Sequence, residues 1–104
     1  MYRISVMYPA KEGAKFDMDY YRKTHMPLVM DNLKSFGLVK TGVDQGLSGS
    51  GGQTAPYVCV GHLYFETLEG YDKGIAEVGP TLRADIPNYT DIAPIRQISE
   101  ILDE

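Results

Sequence analysis

Tyr57-Val58-Cys59-Val60-Gly61-His62-Leu63-Tyr64-Phe65 is the stretch that decides the fold. It is rich in β-branched and aromatic residues and is bounded by turn formers, which reads as a strand. Alternation puts Val58, Val60, His62 and Tyr64 on one side, and Tyr57, Cys59, Leu63 and Phe65 on the other. A sheet with one wet face would show a polar residue at every second position. Here both sides are largely apolar, so both faces of this strand are expected to be dry.

Upstream, Gly46–Gln53 is a flexible Gly/Ser-rich connection, read as the turn of a long hairpin. It joins the strand to another at Leu38–Gln45, weakened by Lys40 and Gly42. Downstream, Thr67 caps a second helix whose apolar face is Leu68, Tyr71, Ile75 and Leu82. Gly70, Gly74 and Gly79-Pro80 make it a poor helix by propensity, so a bend or break is expected near Gly79-Pro80, with a short resumption to Asp85. A loop follows from Ile86 to Asp91, then a last alternating strand from Ile95 to Leu102. Toward the N-terminus, residues 2 to 8 alternate as a first strand, with Ile4, Val6 and Tyr8 on one side and Arg3, Ser5 and Met7 on the other. Pro9–Lys15 is a loop, and a first helix runs from Met18 to Phe36, stopped by Gly37.

The order strand-helix-strand-strand-helix-strand gives an α+β fold. Its simplest form is a ferredoxin-like sandwich, a four-stranded antiparallel sheet with two helices on one face. Two helices cover only one side of residues 57–65. The other side then calls for a second sheet, most economically from another copy of the chain, so a homodimer is expected.

At 104 residues the chain is one domain, residues 1–104, able to bury a modest core unaided. A hydrophobic share of 43% with 23% charged residues belongs to a globular protein. A net charge of -4 and no Lys/Arg-rich run exclude a nucleic-acid footprint. No apolar run has the length of a membrane span, and residues 1–8 read as strand, not as a signal peptide. The lone Cys59 has no disulfide or thiol-metal partner, and a cytoplasmic protein is the reading. His25 and His62 by themselves cannot supply the three or four ligands zinc needs. Gly46–Gly52 lacks the Gly-Lys-Ser/Thr ending of a phosphate loop. Neither a metal nor an organic cofactor is expected.

The chemistry concentrates in the first helix. Asp17 is its N-cap, and Phe16 and Tyr21 flank it as a hydrophobic staple. The apolar face continues through Leu28, Val29, Leu33 and Phe36. His25 stands one turn after Tyr21 on that face, and Pro27 lies two residues beyond, where a helix interior would lose about 3 kcal/mol.

Two segments carry a family likeness. One is Phe16-Asp17-x-x-Tyr20-Tyr21-x-x-Thr24-His25-x-Pro27-Leu28. The other is Ala84-Asp85-Ile86-Pro87-Asn88-Tyr89-Thr90 followed by Pro94-x-x-Gln97-Ile98-Ser99-Glu100. With the element order, they make the chain resemble the EthD-like family, named for ethyl tert-butyl ether degradation, within the dimeric α+β barrel superfamily. The resemblance implies a homodimer whose two sheets close into a barrel, and a cleft between each sheet and its own helices. Relatives in that superfamily include cofactor-free monooxygenases, lactone isomerases, dehydratases and polyketide cyclases acting on small hydrophobic molecules. Others bind haem, and the family name implies no single reaction.

His25 is the candidate catalytic residue, a general acid/base in an apolar cleft. Its structural alternative is a core histidine bonded to a carbonyl freed by Pro27. Tyr21, His62 and Tyr89 are the candidate substrate-binding residues. Tyr21 would hold a substrate oxygen or orient the imidazole, or simply serve the staple. His62 would face His25 if its side of the strand meets the helices, and would be an interface residue otherwise. Tyr89 would line the cleft mouth. Asp85 would orient a pocket residue or, more simply, serve a turn. The main expectation is therefore a small homodimeric enzyme without an organic cofactor. It would act on a compact, mostly apolar, oxygen-bearing molecule by lyase, isomerase or oxygenase chemistry. The alternatives are a non-catalytic metabolite-binding protein and a structural dimer with a filled cleft. The discriminating feature is an open apolar pocket that touches His25 and has another polar group converging on it.

Overall fold

Strands β1 (Tyr2–Pro9) and β3 (Tyr57–Phe65) lie side by side at the centre of a four-stranded antiparallel sheet. The edges are β2 (Leu38–Gln45) and β4 (Ile95–Glu100), in the spatial order β2-β3-β1-β4. The computed structural model describes residues 1–104. The βαββαβ order and the ferredoxin-like topology are as the sequence implies. The last strand ends two residues earlier than its alternation, which ran to Leu102.

The helix face of the sheet is the one the inward residues of β3 define. Cys59 and Phe65 are fully buried and Leu63 nearly so, beside Ile4 and Tyr8 of β1. Val58, Val60, His62 and Tyr64 occupy the opposite face and remain half-buried in the single chain. The molecule measures 40 × 33 × 19 Å. The short dimension matches one sheet and one helix layer about 10 Å apart, with nothing over the far side of the sheet.

The first helical segment is not a plain α-helix. It is built from α1 (Met18–Tyr20), a π-helical turn (Tyr21–His25), α2 (Met26–Leu33) and a 3-10 turn (Lys34–Phe36). Asp17 caps its start, accepting from the Tyr20 amide at 3.1 Å. Gly37 ends it in the left-handed region at φ 101°, which glycine adopts without a Cβ penalty. The π turn explains how Pro27 is tolerated. The Met26 amide bonds to the Tyr21 carbonyl, five residues back, and Pro27 then falls in the first turn of α2, where its missing donor costs little.

The second helix, α3 (Leu68–Asp85), corrects the expected break at Gly79-Pro80. It runs unbroken through Pro80. Its glycines exist for close approach: a Cβ on Gly74 would sit 2.7 Å from Leu33 Cδ2 and 3.1 Å from the Phe36 ring, and one on Gly70 would collide with the Phe36 carbonyl oxygen. Intimate packing of α3 on the first helical segment thus offsets its poor propensity.

Beyond α3, a 3-10 turn (Ile86–Asn88) leads into a segment laced to the start of the first helix. The Asp17 amide donates to the Tyr89 carbonyl at 2.7 Å, and the Thr90 hydroxyl donates to the Lys15 carbonyl at 2.6 Å. Phe16 and Thr90 form an isolated antiparallel bridge. These bonds bring residues 85–90 against Tyr20, Tyr21 and His25.

Candidate functional site

Between the sheet and its helices lies a hollow of about 180 Å³. An apolar cavity of about 150 Å³ accepts benzene, so this one suits a compact, single-ring molecule. Twelve of its sixteen lining residues are hydrophobic; the others are His25, Gly79, Arg83 and Arg96. A filled cleft, the structural-dimer expectation, is therefore not what this chain has.

The π turn sets the imidazole. The Tyr21 and His25 rings stack with centroids 5.5 Å apart and planes 18° apart. Tyr89 packs against the histidine ring at 4.7 Å, tilted by 50°, and also meets Tyr21 at 5.1 Å, so the three rings form a mutual cluster. His25 is only 6% exposed, yet its ring borders the hollow. Nδ1 lies 2.9 Å from Asp85 Oδ2, at the last residue of α3. An ionised carboxylate only accepts, so Nδ1 carries the proton, and Nε2, which bonds to no group of the chain, keeps its lone pair. Asp85 is itself held: its Oδ1 accepts from the Tyr20 hydroxyl at 2.6 Å and from Asn88 Nδ2 at 2.9 Å.

The electrostatics agree with these roles. Burial pulls the His25 pKa below its ordinary value and outweighs the upward pull of the Asp85 hydrogen bond and charge, so the ring is neutral at pH 7. Burial pushes the Asp85 carboxyl up, but hydrogen bonds from Tyr20, Asn88 and His25 together prevail and hold it below the usual carboxylate range. The result is a neutral base at Nε2 whose ring is fixed by a carboxylate behind it.

Tyr21 lines the hollow as expected, and also forms the staple, with its ring 5.3 Å from Phe16. Its hydroxyl rests on β3 at Gly61, where any Cβ would collide with it. Burial raises its pKa strongly, so the phenol stays protonated. Tyr20 diverges from Tyr21 around the helix and reaches Asp85 instead.

Tyr89 is not at the cleft mouth. It is fully buried behind the imidazole, its hydroxyl 2.6 Å from that of Tyr8, within a cluster of edge-to-face aromatic rings that includes Phe16 and Tyr21. The backbone bond from Asp17 pulls it inward. His62 is not across the cleft from His25. It stands on the open face of the sheet, Nε2 at 2.7 Å from Asp44 Oδ2, because its strand position alternates with the inward Gly61 and Leu63. Cys59 is buried and its thiol is pushed up to about 12 by burial, so it is no nucleophile.

Of the two roles expected for Asp85, it is the orienting one that the structure shows, on a partner 60 positions away. Arg83 and Arg96 are site residues that carry no expectation from the sequence. Arg96 had a usable signal: it pairs with inward-facing Val6 across β1 and β4, so a cation occupies a helix-face position of an alternating strand.

No protein-family model matches the chain. No curated protein matches it either. Among solved structures, an EthD-like protein from Ralstonia eutropha is similar with a TM-score of 0.93 and 38% identity, over 99% of this chain and 93% of that one. An ethyl tert-butyl ether degradation (EthD) family protein from Bacillus halodurans has a TM-score of 0.74 at 19% identity, over 98% of this chain and 99% of that one. A dimeric ferredoxin-like protein from an uncultured marine organism has a TM-score of 0.56 at 10% identity, over 100% of this chain and 97% of that one. The last two show likeness of fold alone.

Proposed function

From the premise that this chain belongs to the EthD-like family, we propose that it is a small-molecule enzyme without an organic cofactor. His25 serves as general acid/base on a compact, mostly apolar, oxygen-bearing substrate. The observation that carries this reading is the Asp85–His25 pair, with Nε2 unbonded and the histidine lining an apolar hollow. A neutral imidazole there takes a proton from carbon or oxygen next to a carbonyl or phenol and returns it to another atom of the same substrate. Lyase and isomerase reactions need no more than that. Oxygenase chemistry would begin with the same deprotonation and needs dioxygen as co-substrate. Tyr21, kept protonated, packs the ring so that it cannot turn away.

We further propose a homodimer formed through the open face of the sheet. Met7, Val58, Val60, Tyr64 and Ile95 present apolar surface there, and Ile95 is 50% exposed in the single chain. A similar solved structure is described as dimeric. The lone buried Cys59 supports a cytoplasmic location. No helix is long and apolar enough to cross a membrane.

The test is turnover of a panel of lactones, phenols, cyclic ketones and branched ethers by the wild type and by His25→Ala. Loss of about 10²–10⁴-fold is expected for the variant on any substrate turned over. Equal rates would remove His25 from the mechanism. Saturable binding with no turnover across the panel would favour the non-catalytic metabolite-binding alternative.

A further inference from the structure

Besides the imidazole and the hydroxyls of Tyr8, Tyr21 and Tyr71, the polar groups around the hollow are two guanidiniums, both on exposed residues. Arg83 comes from the helix layer and Arg96 from the sheet. The Arg83 side chain folds over Gly79, where a Cβ would sit 2.8 Å from Nη1 and 3.4 Å from Cζ. Glycine there lets the guanidinium lie flat against the helix at the edge of the cavity. Arg96 shares the helix face with Val6, its cross-strand partner, which also lines the cavity. The positive charge of Arg96 acts on the phenols of Tyr8, Tyr21 and Tyr71, all cavity residues, which places it on their side of the rim.

Neither arginine has an acidic partner. The ion pairs of the chain are Arg3–Glu104, His25–Asp85, His62–Asp44 and Lys73–Glu69. The chain has 14 acidic residues against 10 basic ones, so two unpaired cations beside the hollow do not reflect a shortage of carboxylates. Asp85, the carboxylate behind His25, is already committed to three donors. Arginine's planar fork matches a carboxylate, and two forks at the lip of an apolar chamber make a site for one.

We infer that the molecule bound in this cavity is a carboxylic acid, with its apolar body in the hollow beside His25 and its carboxylate held at the rim by Arg83 and Arg96. The inference rests on the reading of the hollow as the substrate site, and names the class of substrate. It gives the ligand an orientation: the anion stays at the mouth, and the proton transfer takes place at the far, buried end. It also selects against neutral molecules of the same shape.

The experiment compares matched acids and amides, phenylacetate with phenylacetamide and hexanoate with hexanamide, by calorimetric titration of the full-length protein. Each acid is expected to bind at least about tenfold more tightly than its amide at low salt, an advantage that shrinks as salt is added. In the double variant Arg83→Gln/Arg96→Gln the ratio is expected to fall toward one, while amide affinity and the melting temperature hold. In His25→Ala the ratio is expected to persist, because His25 is not a partner of the carboxylate. A wild-type ratio near one, no saturable binding of either acid, or a ratio unchanged in the arginine double variant would each overturn the inference. The catalytic reading fails separately, through unchanged turnover in His25→Ala with the binding ratio intact.

Discussion

Replacing Asp85 by asparagine is expected to move a proton across the His25 ring rather than unfold the protein. In the wild type, Oδ1 of Asp85 accepts two donors, Tyr20 and Asn88, and Oδ2 accepts one, His25 Nδ1. An asparagine keeps its single oxygen where two donors compete for it, so its NH₂ faces Nδ1. Two N–H groups cannot bond to each other, and the ring answers by moving its proton to Nε2 and accepting at Nδ1. A hydrogen bond to a charged group is worth about 1.5–3 kcal/mol, so the wild-type preference for Nδ1–H is about ten- to a hundredfold. In Asp85→Asn the preference reverses by the worth of one neutral hydrogen bond, about 1 kcal/mol. The loss of stability is expected to be about 1–2 kcal/mol, since the Asp85 side chain is 13% exposed and its three donors, Tyr20, Asn88 and His25, retain a partner or reach water. For a domain of this size that lowers Tm by about 5–15 °C. The assay is nitrogen NMR of the imidazole in labelled protein. The chain has only 2 histidines, and His62→Gln tells them apart. A wild-type ring protonated at Nε2, or a ring whose tautomer is the same in Asp85→Asn, would refute the reasoning that Nε2 is the base.

Stability is expected to decline as pH falls. Burial lowers the His25 pKa in the fold, and the Asp85 pKa is held low there by its three donors against the opposing pull of burial. Both groups bind protons less readily folded than unfolded. The His25 contribution is present above its unfolded value of about 6.5 and is lost as pH falls through its lower folded value. The Asp85 contribution is present above its unfolded value of about 3.9 and is lost only as pH falls below that. Urea unfolding at pH 7.5, 5.5 and 4 should show stability falling at each step, with the first step reduced in His25→Gln; a rise toward pH 5.5 would contradict the neutral buried imidazole. Gly61→Ala drives a methyl into the Tyr21 hydroxyl and is expected to cost about 1–3 kcal/mol. Adding Tyr21→Phe should recover most of that, and strictly additive losses in the double-mutant cycle would show that the collision is not the cause. Val60→Glu, on the open face of β3, is expected to convert a dimer to a monomer in light scattering while leaving far-UV dichroism unchanged; an undisturbed dimer would place the interface elsewhere.

The parts of the fold that were legible are those with local causes. Alternation within residues 2–8 and 57–65, the caps at Asp17 and Thr67, and the stop at Gly37 are matters of neighbouring residues, and they hold in the structure. The break at Gly79-Pro80 was misjudged because the reason for glycine in α3 is tertiary. Gly74 admits Leu33 and Phe36, and no pattern within the helix states that. In the site, His25 and Tyr21 announced themselves through Pro27 and the staple. Asp85 stands in the sequence as a residue that orients a pocket group or serves a turn, and nothing local names His25 as its partner, which belongs to another helix. Tyr89 is expected at the cleft mouth and is instead buried against the imidazole, since burial by a backbone bond from Asp17 leaves no trace in composition. The face of His62 turned on whether Cys59 or Val60 pointed toward the helices, and two apolar neighbours gave alternation no way to choose.

The peculiarity at Pro27 and the placement of the imidazole are one structural fact. A proline at that position in a regular α-helix would leave the residue 23 carbonyl without its partner and crowd it. Widening the preceding turn to a five-residue bond, Tyr21 carbonyl to Met26 amide, lets α2 start afresh with the proline in its first turn. That wide turn contains both Tyr21 and His25, and it brings their rings into a parallel stack. The start of the first helical segment cannot relax away, because Asp17 and Lys15 are bonded to Tyr89 and Thr90. The same tail delivers Asp85 and Asn88 to the back of the imidazole. A ring stacked on Tyr21, packed at an angle by Tyr89 and tethered at Nδ1 is held in place before any ligand arrives. On the proposed reading of His25 as general base, its orientation would thus be settled during folding, and binding would have only to place a proton near Nε2.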